Sequence, residues 1–221
     1  MKQFNIKDYY GFLLPMIIGV IAGAIALILI PKHTIHINLT AYHTPVADTF
    51  FRIYTVLGEA WVWAIALIFL FIRYKDALLI IASQLTAGLC TQIIKHICNM
   101  PRPKVFFEQN FPEIILHKVE GVTMHAWHSF PSGHTTTAFA LFMALTCILA
   151  TKNKPLQCVF FCMALLVGYS RIYLSQHFLM DVWAGAIIGT TITLCWAYYL
   201  QNNKAKGLNS SLIKTLKKKK T

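Results

Sequence analysis

Residues 133–200 read GHTTTAFALFMALTCILATKNKPLQCVFFCMALLVGYSRIYLSQHFLMDVWAGAIIGTTITLCWAYYL. This stretch holds three apolar segments, at about 133–150, 156–172 and 180–200, which short polar segments separate. A helix needs roughly 17 to 25 residues to cross the hydrocarbon core of a bilayer, and each segment is close to that length. The stretch therefore predicts three consecutive transmembrane helices with short connections.

The amino-terminal half adds three apolar segments, at about 12–30, 54–72 and 77–98. The first is too long for the apolar core of a cleavable signal peptide, which has about 7 to 15 residues. Of the 221 residues, 57% are hydrophobic and 13% are charged, whereas a soluble domain carries about a quarter charged residues. These features predict an all-α membrane protein, a bundle of six transmembrane helices.

The chain shows no internal repeat and no Gly/Ser-rich linker. We therefore expect residues 1–221 to form a single domain, with its core at about 50–200 and a basic tail at 201–221. The six cysteines show no CxxC spacing, so they indicate neither a zinc site nor a disulfide framework. They are expected to be small core residues.

The formal net charge of +12 owes much to the tail, because seven of the twenty Lys and Arg lie between positions 204 and 220. A basic cluster behind the last apolar segment is typical of a topological anchor or a contact with anionic lipid. With the amino terminus in the cytoplasm, thirteen of the twenty basic residues fall on the cytoplasmic side. The positive-inside rule thus predicts cytoplasmic termini, and no nucleic-acid partner is expected.

Two cations mark the outer end of the third apolar segment, where Lys95 is followed seven residues later by Arg102. The prolines at 101 and 103 are expected to end that helix. The pair is compatible with an anion site. The alternative is a pair of basic side chains that extend from a helix end to the membrane interface.

A second motif, Pro131-Ser132-Gly133-His134, comes directly before the fourth apolar segment. Free backbone amides at a helix start point outward, and Gly133 allows a ligand to approach the backbone, so a phosphate oxygen can bind there. The alternative is a simple helix cap, with Ser132 as the capping residue.

A third motif places Ser170-Arg171, His177 and Asp181 at the junction of the last two segments. If the sixth helix has begun by His177, Asp181 lies one turn further along the same face. Its carboxylate can then hold one ring nitrogen and raise the nucleophilicity of the other. A capping salt bridge is the alternative.

The six-span arrangement brings all three motifs to one membrane face. Together they resemble the three-part signature of the type 2 phosphatidic acid phosphatase (PAP2) superfamily, in the residues Lys95, Arg102, Ser132, Gly133, His134, Arg171, His177 and Asp181. The resemblance covers about residues 50–200 and implies a helical bundle with a PAP2-like core. Soluble vanadium-dependent haloperoxidases share the signature, but the apolar spans argue against that branch.

The resemblance implies a metal-independent phosphatase that forms a phosphohistidine and needs no cofactor. In this family pattern His177 attacks phosphorus, Asp181 orients it, and His134 protonates the leaving oxygen and then activates water. The phosphoryl oxygens are expected to be held by Lys95, Arg102, Ser132, Gly133 and Arg171.

The expected substrate is a phosphorylated lipid at the periplasmic face of a bacterial inner membrane. The segment 102–130 resembles envelope phosphatases of the Bacteroides group, which favours lipid A, at its 1- or 4'-phosphate. Undecaprenyl pyrophosphate, phosphatidylglycerophosphate and phosphatidic acid are the alternatives within the enzyme class. An anion or lipid transporter is the alternative from another class.

Other polar residues have less specific interpretations. Glu59 is expected to pair with Lys95 or Arg102, or to face an outer crevice. His125 and His128 have a spacing that suits a metal, but no carboxylate or Cys accompanies them, so no metal site is predicted and contact with the lipid head group is the alternative. Ordinary interfacial or loop roles are expected for His33, His36, His43, His96 and His117.

Overall fold

The computed structural model describes residues 4–59, 61–202 and 207–218, and this part of the chain is helical throughout its regular elements. Four tail lysines, Lys204, Lys206, Lys219 and Lys220, lie outside the described residues. The helices are α1 (Tyr10–Leu29), α2 (Lys32–Leu39), α3 (Pro45–Tyr54), α4 (Trp61–Ile72), α5 (Tyr74–Cys98), α6 (Pro103–Asn110), α7 (Gly133–Leu149), α8 (Lys154–Tyr173), α9 (Leu179–Asn202) and α10 (Leu212–Lys218).

Four helical stretches among the described residues are long and apolar enough to cross a membrane. They are Ile6–Leu29, Tyr74–Asn110, Lys154–Tyr173 and Leu179–Asn202. A bent helix pair raises the number to five, and α7, at 17 residues, is shorter than these. The all-α class is confirmed, and the count of six spans stays a prediction.

The second span differs from the prediction of one helix over 54–72. Here Pro45–Gly58 and Trp61–Ile72 meet at an angle of 48°, and a 3-10 turn at Thr55–Gly58 ends the first part. A Cβ on Gly58 would lie 2.8 Å from the carbonyl oxygen of His134, so this turn packs directly against the start of α7. The bend therefore carries Thr55 and Glu59 to the end of the bundle where the motifs lie.

The third span also ends differently from the prediction. Asn99, in the left-handed conformation at φ 39°, caps α5, and its amide donates to the Lys95 carbonyl at 2.9 Å. Pro103 then occupies the first turn of a new helix, α6, with Arg102 as its N-cap. Asparagine tolerates this conformation better than most residues, and proline suits a helix start.

Helix α7 lies at the centre of the bundle, because nearly every residue from Thr135 to Cys147 is buried. It packs against α5, α8 and α9. A Cβ on Gly185 of α9 would lie 2.7 Å from the Ser132 carbonyl oxygen, so this close helix contact requires glycine. Helix α1 packs at the edge, where apolar side chains such as Ile18 and Ile28 are exposed in the manner of a lipid-facing surface.

The two ends of the bundle differ in composition. At one end the Lys152 amide donates to the Asp8 carbonyl at 3.1 Å, and the Tyr74 amide donates to the Ser210 carbonyl at 2.9 Å. Gln201 joins this end by donating to the hydroxyl of Tyr9 at 2.8 Å. The described basic segments near positions 7, 73–75, 152–154 and 214 thus share one end, as the charge pattern predicts, and the three motifs lie at the other.

The cysteines are free, and Cys147 alone among them is buried. The expectation that they are core residues is wrong for Cys98, Cys158, Cys162 and Cys195, which are exposed on the helices.

Candidate active site

His177 and Asp181 lie together beneath the motif-bearing end of the bundle, and each is 1% exposed. Nδ1 of His177 lies 3.3 Å from Oδ2 of Asp181. Helix α9 begins only at Leu179, so the contact does not arise along a helix face. Instead the chain turns into α9 at Phe178, whose amide donates to the same carboxylate oxygen at 2.9 Å.

Ser129 completes this carboxylate's hydrogen bonds. Its hydroxyl donates to Oδ2 of Asp181 at 2.5 Å. Oγ of Ser129 also lies 3.5 Å from Nδ1 of His177. Because a carboxylate only accepts, Nδ1 of His177 carries the proton and Nε2 keeps its lone pair. Burial lowers the pKa of His177 from its ordinary value of 6.5 to about 3, with Asp181 acting in the opposite direction. The ring is therefore neutral near pH 7.

The second motif is joined to the third through the backbone, since the Ser132 amide donates to the Asp181 carbonyl at 2.9 Å. The Ser132 hydroxyl caps α7, where it accepts from the Thr135 hydroxyl at 2.9 Å and from the Thr135 amide at 3.4 Å. Gly133 faces the first motif, because a Cβ on it would lie 4.0 Å from Cε of Lys95. The helix start, Lys95 and Asp181 therefore meet at one place.

His134 pairs with Glu59, whose Oε1 lies 3.0 Å from Nε2 of the imidazole. The side chains are 28% and 48% exposed, so this pair lies at the mouth of the site rather than beneath it. Glu59 therefore does not pair with Lys95 or Arg102, and its exposure fits the other expectation, that it faces an outer crevice.

The three cations of the motifs lie at the same end, and two of them are buried, with 7% exposure for Lys95 and 6% for Arg171. Lys95 donates to the His128 carbonyl at 2.6 Å, and Arg171 donates from Nη1 to the Thr55 hydroxyl at 2.7 Å. Arg102 reaches the Trp127 carbonyl from Nε at 3.0 Å. The three are close enough to act electrostatically on one another, and Asp181 acts on Lys95 and Arg102.

These cations are incompletely compensated. Within the described ranges, no ion pair joins Lys95, Arg102 or Arg171 to a carboxylate. Nε of Arg171 is buried and has no hydrogen-bond partner in the part of the chain that the structure describes. Burying a charge or a donor without a partner costs free energy, which an anion in this pocket would recover. The arrangement thus suits a tetrahedral oxyanion held beside a neutral imidazole.

The segment 112–131 contacts this pocket near its end, where the Trp127 and His128 carbonyls accept from Arg102 and Lys95. Nδ1 of His128 lies 3.2 Å from the Lys95 carbonyl, and the His128 carbonyl accepts from Nζ of Lys95. His128 thus contacts both the backbone and the ammonium group of Lys95. Burial, and after it the charges of Arg102 and Arg171, lower the pKa of His125, which therefore lies near the cations. Among the described residues, no metal-ligating group contains His125 or His128.

Three residues that hydrogen-bond to the motif residues were not predicted from the sequence. Ser129 donates to Asp181, Thr55 accepts from Arg171, and Oε1 of Gln176 accepts from Arg102 at 3.2 Å. Ser129 lies two residues before Pro131, and Gln176 lies directly before His177. This closeness to the motifs was the available indication that they belong to the site. Thr55 is far from every motif in the sequence, and it arrives only through the bend before α4.

Fold and site together define a multi-pass helical membrane protein with a cationic pocket beside a paired histidine. A family model described as the PAP2 superfamily matches residues 76–205, which is more than half of the chain. The chain belongs to the PAP2 superfamily.

Among the relatives is "Probable lipid phosphate phosphatase 4" of Arabidopsis thaliana, which is 33% identical over 48% of this chain. The matched region spans 42% of that relative's length. "Lipid A 4'-phosphatase" of Porphyromonas gingivalis is 26% identical over 73% of this chain and 69% of its own. The crystal structure of Aquifex aeolicus LpxE is similar with a TM-score of 0.60 and 30% identity, over 73% of this chain and 91% of that one.

Proposed function

We propose that this protein is a lipid phosphatase that removes a phosphate from the head group of a membrane lipid through a phosphohistidine on His177. One observation supports the proposal above the others: among the described residues, the buried Nε of Arg171 has no partner, in a pocket whose cations outnumber its carboxylates. Asp181 acts on Lys95 and Arg102, but this one buried carboxylate leaves the three cations of the pocket in excess. A phosphate group supplies the missing charge and acceptors.

The reaction follows from the two histidines. Nε2 of His177 attacks phosphorus, the P–N bond forms, and the bond from phosphorus to the lipid oxygen breaks. His134 donates its proton to that oxygen, so the lipid leaves as a neutral alcohol. His134 then takes a proton from water, the water oxygen attacks phosphorus, and the P–N bond breaks to release inorganic phosphate and the free imidazole.

The remaining motif residues stabilise charge on the transferring group. Lys95, Arg102 and Arg171 supply cations, and the start of α7 supplies the Ser132 hydroxyl and the Gly133 amide as donors. Each charge-assisted hydrogen bond contributes about 1.5 to 3 kcal/mol. In this mechanism the chain's own side chains do what a divalent cation does in other phosphoryl-transfer sites, so chelation should leave the chemistry intact.

Lipid A is the proposed substrate, at its 1- or 4'-phosphate. The relative from Porphyromonas gingivalis carries that substrate in its name and matches 73% of this chain. We place the protein in a bacterial inner membrane with its termini in the cytoplasm and the pocket at the periplasmic face. The basic residues gathered at the end opposite the pocket support this orientation.

The test uses the purified full-length chain in detergent. Phosphate release is measured from lipid A, undecaprenyl pyrophosphate and phosphatidic acid, with and without EDTA and vanadate. We expect release to be fastest from lipid A, to persist in EDTA and to be inhibited by vanadate. His177→Ala should abolish release, whereas His96→Ala, whose ring nitrogen Nδ1 lies 2.8 Å from the Gln92 carbonyl of its own helix, should retain it.

Each alternative has its own result. Faster release from another lipid would change the substrate and keep the phosphatase. Loss of activity on chelation that zinc or magnesium restores would contradict the mechanism. Lipid or anion transport into vesicles without phosphate release would favour a transporter.

A further inference from the structure

A second cluster of polar side chains lies outside the phosphate pocket, where the start of α3 meets the segment 112–131. Nδ1 of His43 lies 3.2 Å from one carboxylate oxygen of Asp48, and Nε2 of His117 lies 2.9 Å from the other. The two imidazole rings stack with their centroids 3.9 Å apart. One ring nitrogen from each histidine and one carboxylate oxygen all lie within 4.8 Å of one another.

The surroundings of this cluster resemble those of a metal-binding group more than those of a surface ion pair. The Tyr173 hydroxyl donates to Asp48 at 2.6 Å and so orients the carboxylate from behind, as outer hydrogen bonds do for metal ligands. His43 is 10% exposed, and its buried Nε2 has no partner among the residues that the structure describes. Nδ1, which faces Asp48, is the ring nitrogen placed to bind an ion there.

The donor set identifies the kind of ion. Two neutral imidazoles and one carboxylate suit a first-row transition metal, and zinc above calcium or magnesium, which prefer oxygen ligands. His117 is 43% exposed, which leaves room for water as a fourth ligand. We propose that His43, Asp48 and His117 bind one Zn²⁺ ion per chain.

The proposed ion would hold the segment 112–131 against the bundle. His117 and Asp48 belong to segments 69 residues apart. The same segment is attached nearby through Arg52, which donates to the Glu120 carbonyl at 3.0 Å, and through Gln176, which donates to the Thr123 carbonyl at 3.1 Å. Zinc would add a stronger attachment at the same place, and it shares no ligand with the phosphate pocket.

The experiment measures zinc directly, without substrate. Full-length protein in detergent is stripped with a chelator, desalted and titrated with zinc chloride, and bound zinc is counted by equilibrium dialysis with elemental analysis. We expect one zinc ion per chain. At 100 times Kd the melting temperature should rise by at least about 5 °C, since ligand binding stabilises the folded state and a chain of this size responds by a few degrees per kcal/mol.

Matched variants locate the ion. His117→Ala and Asp48→Asn should each lose one equivalent of zinc and the thermal shift, whereas His96→Ala should keep both. His117→Cys, which replaces one zinc ligand by another, should bind zinc again, and this rescue separates a lost ligand from a misfolded chain. Zinc at the same stoichiometry in His117→Ala, or no stoichiometric zinc in the unaltered chain at micromolar concentration, would overturn the proposal.

The zinc proposal and the phosphatase proposal can be contradicted independently of each other. Chelation should lower the melting temperature while phosphate release, measured well below that temperature, is unchanged.

Discussion

His177 is buried beside a carboxylate, and the two effects act on its ring in opposite directions. Burial disfavours the charged imidazolium, while Asp181 favours it, and burial prevails. A neutral ring with its Nδ1 proton directed at Asp181 is the form that can attack phosphorus. The pocket thus keeps its proposed nucleophile ready without a separate base.

The pH dependence of kcat/KM tests this protonation state. Because burial lowers the pKa of His177 to about 3, the ring stays neutral as the pH falls through 6.5, and its protonation removes activity only well below pH 5. The phosphate group of the lipid itself titrates near pH 6, so its ionisation is followed separately by 31P NMR and divided out. An acid limb near pH 6.5 that remains after this correction would contradict the account.

Glu59 is a positioning residue for His134 in the proposed mechanism. Glu59→Gln should lower kcat by about tenfold for a lipid alkoxide, a fraction of what general acid catalysis contributes. The loss should be much smaller for a nitrophenyl phosphate, whose leaving group needs no proton. Glu113→Gln, at an exposed position outside the pocket, is the matched control. Equal losses on both substrates would show that Glu59 acts in another way.

The residue types of the site could be predicted from sequence, because their spacing and their positions beside apolar segments are local features. The hydrogen-bond partners of these residues could not be predicted. Glu59 meets His134 across 75 positions, and Thr55 meets Arg171 across 116. Such pairs depend on how helices pack, which the spacing of residues within one segment does not specify. The same limit hid the cluster of His43, Asp48 and His117, since His117 lies 69 positions from Asp48.

Among the helices, the prediction from sequence was weakest for the bent pair of Pro45–Gly58 and Trp61–Ile72. Hydropathy detected the apolar residues of α4 but not α3, which mixes polar and apolar residues and has no buried residue. The bend has a function in the proposed site, because it delivers Thr55 to Arg171 and Glu59 to His134. Helices α5, α7, α8 and α9 are continuous, and their predicted limits differ from the observed ones by at most three residues.

The close contact between α7 and α9 gives a test of helix packing. Gly185→Ala would place a Cβ 2.7 Å from the Ser132 carbonyl oxygen, a backbone atom at the start of α7. Overpacking of this kind costs about 1 to 3 kcal/mol, and it should also disturb the link from Ser132 to Asp181. Gly88→Ala, where a Cβ meets nothing within 4 Å, is the control.

Thermal unfolding in detergent and phosphate release are measured for both glycine variants. Gly185→Ala should melt at a lower temperature and release phosphate more slowly, while Gly88→Ala should match the unaltered protein or exceed its stability. Equal melting temperatures for the two would contradict the proposed packing constraint.

The whole bundle is polarised, with basic segments at one end and the pocket at the other. This polarity predicts opposite accessibility for the two ends in a living membrane. In a background whose exposed cysteines are replaced by serine, Ile115→Cys, at a position that is 91% exposed, should react with an impermeant maleimide in intact spheroplasts. Lys154→Cys, at the opposite end, should react only after permeabilisation. Labelling of both without permeabilisation would contradict the topology.

The most direct measurement follows the phosphoryl group itself. Full-length protein is mixed with lipid carrying a 32P-labelled phosphate, denatured within milliseconds in alkaline detergent to preserve phosphohistidine, and digested for peptide mapping. The account predicts label on the peptide that contains His177, stable to alkali and lost in acid, and none in His177→Ala. Label on another residue, or phosphate release at the normal rate by His177→Ala, would contradict it.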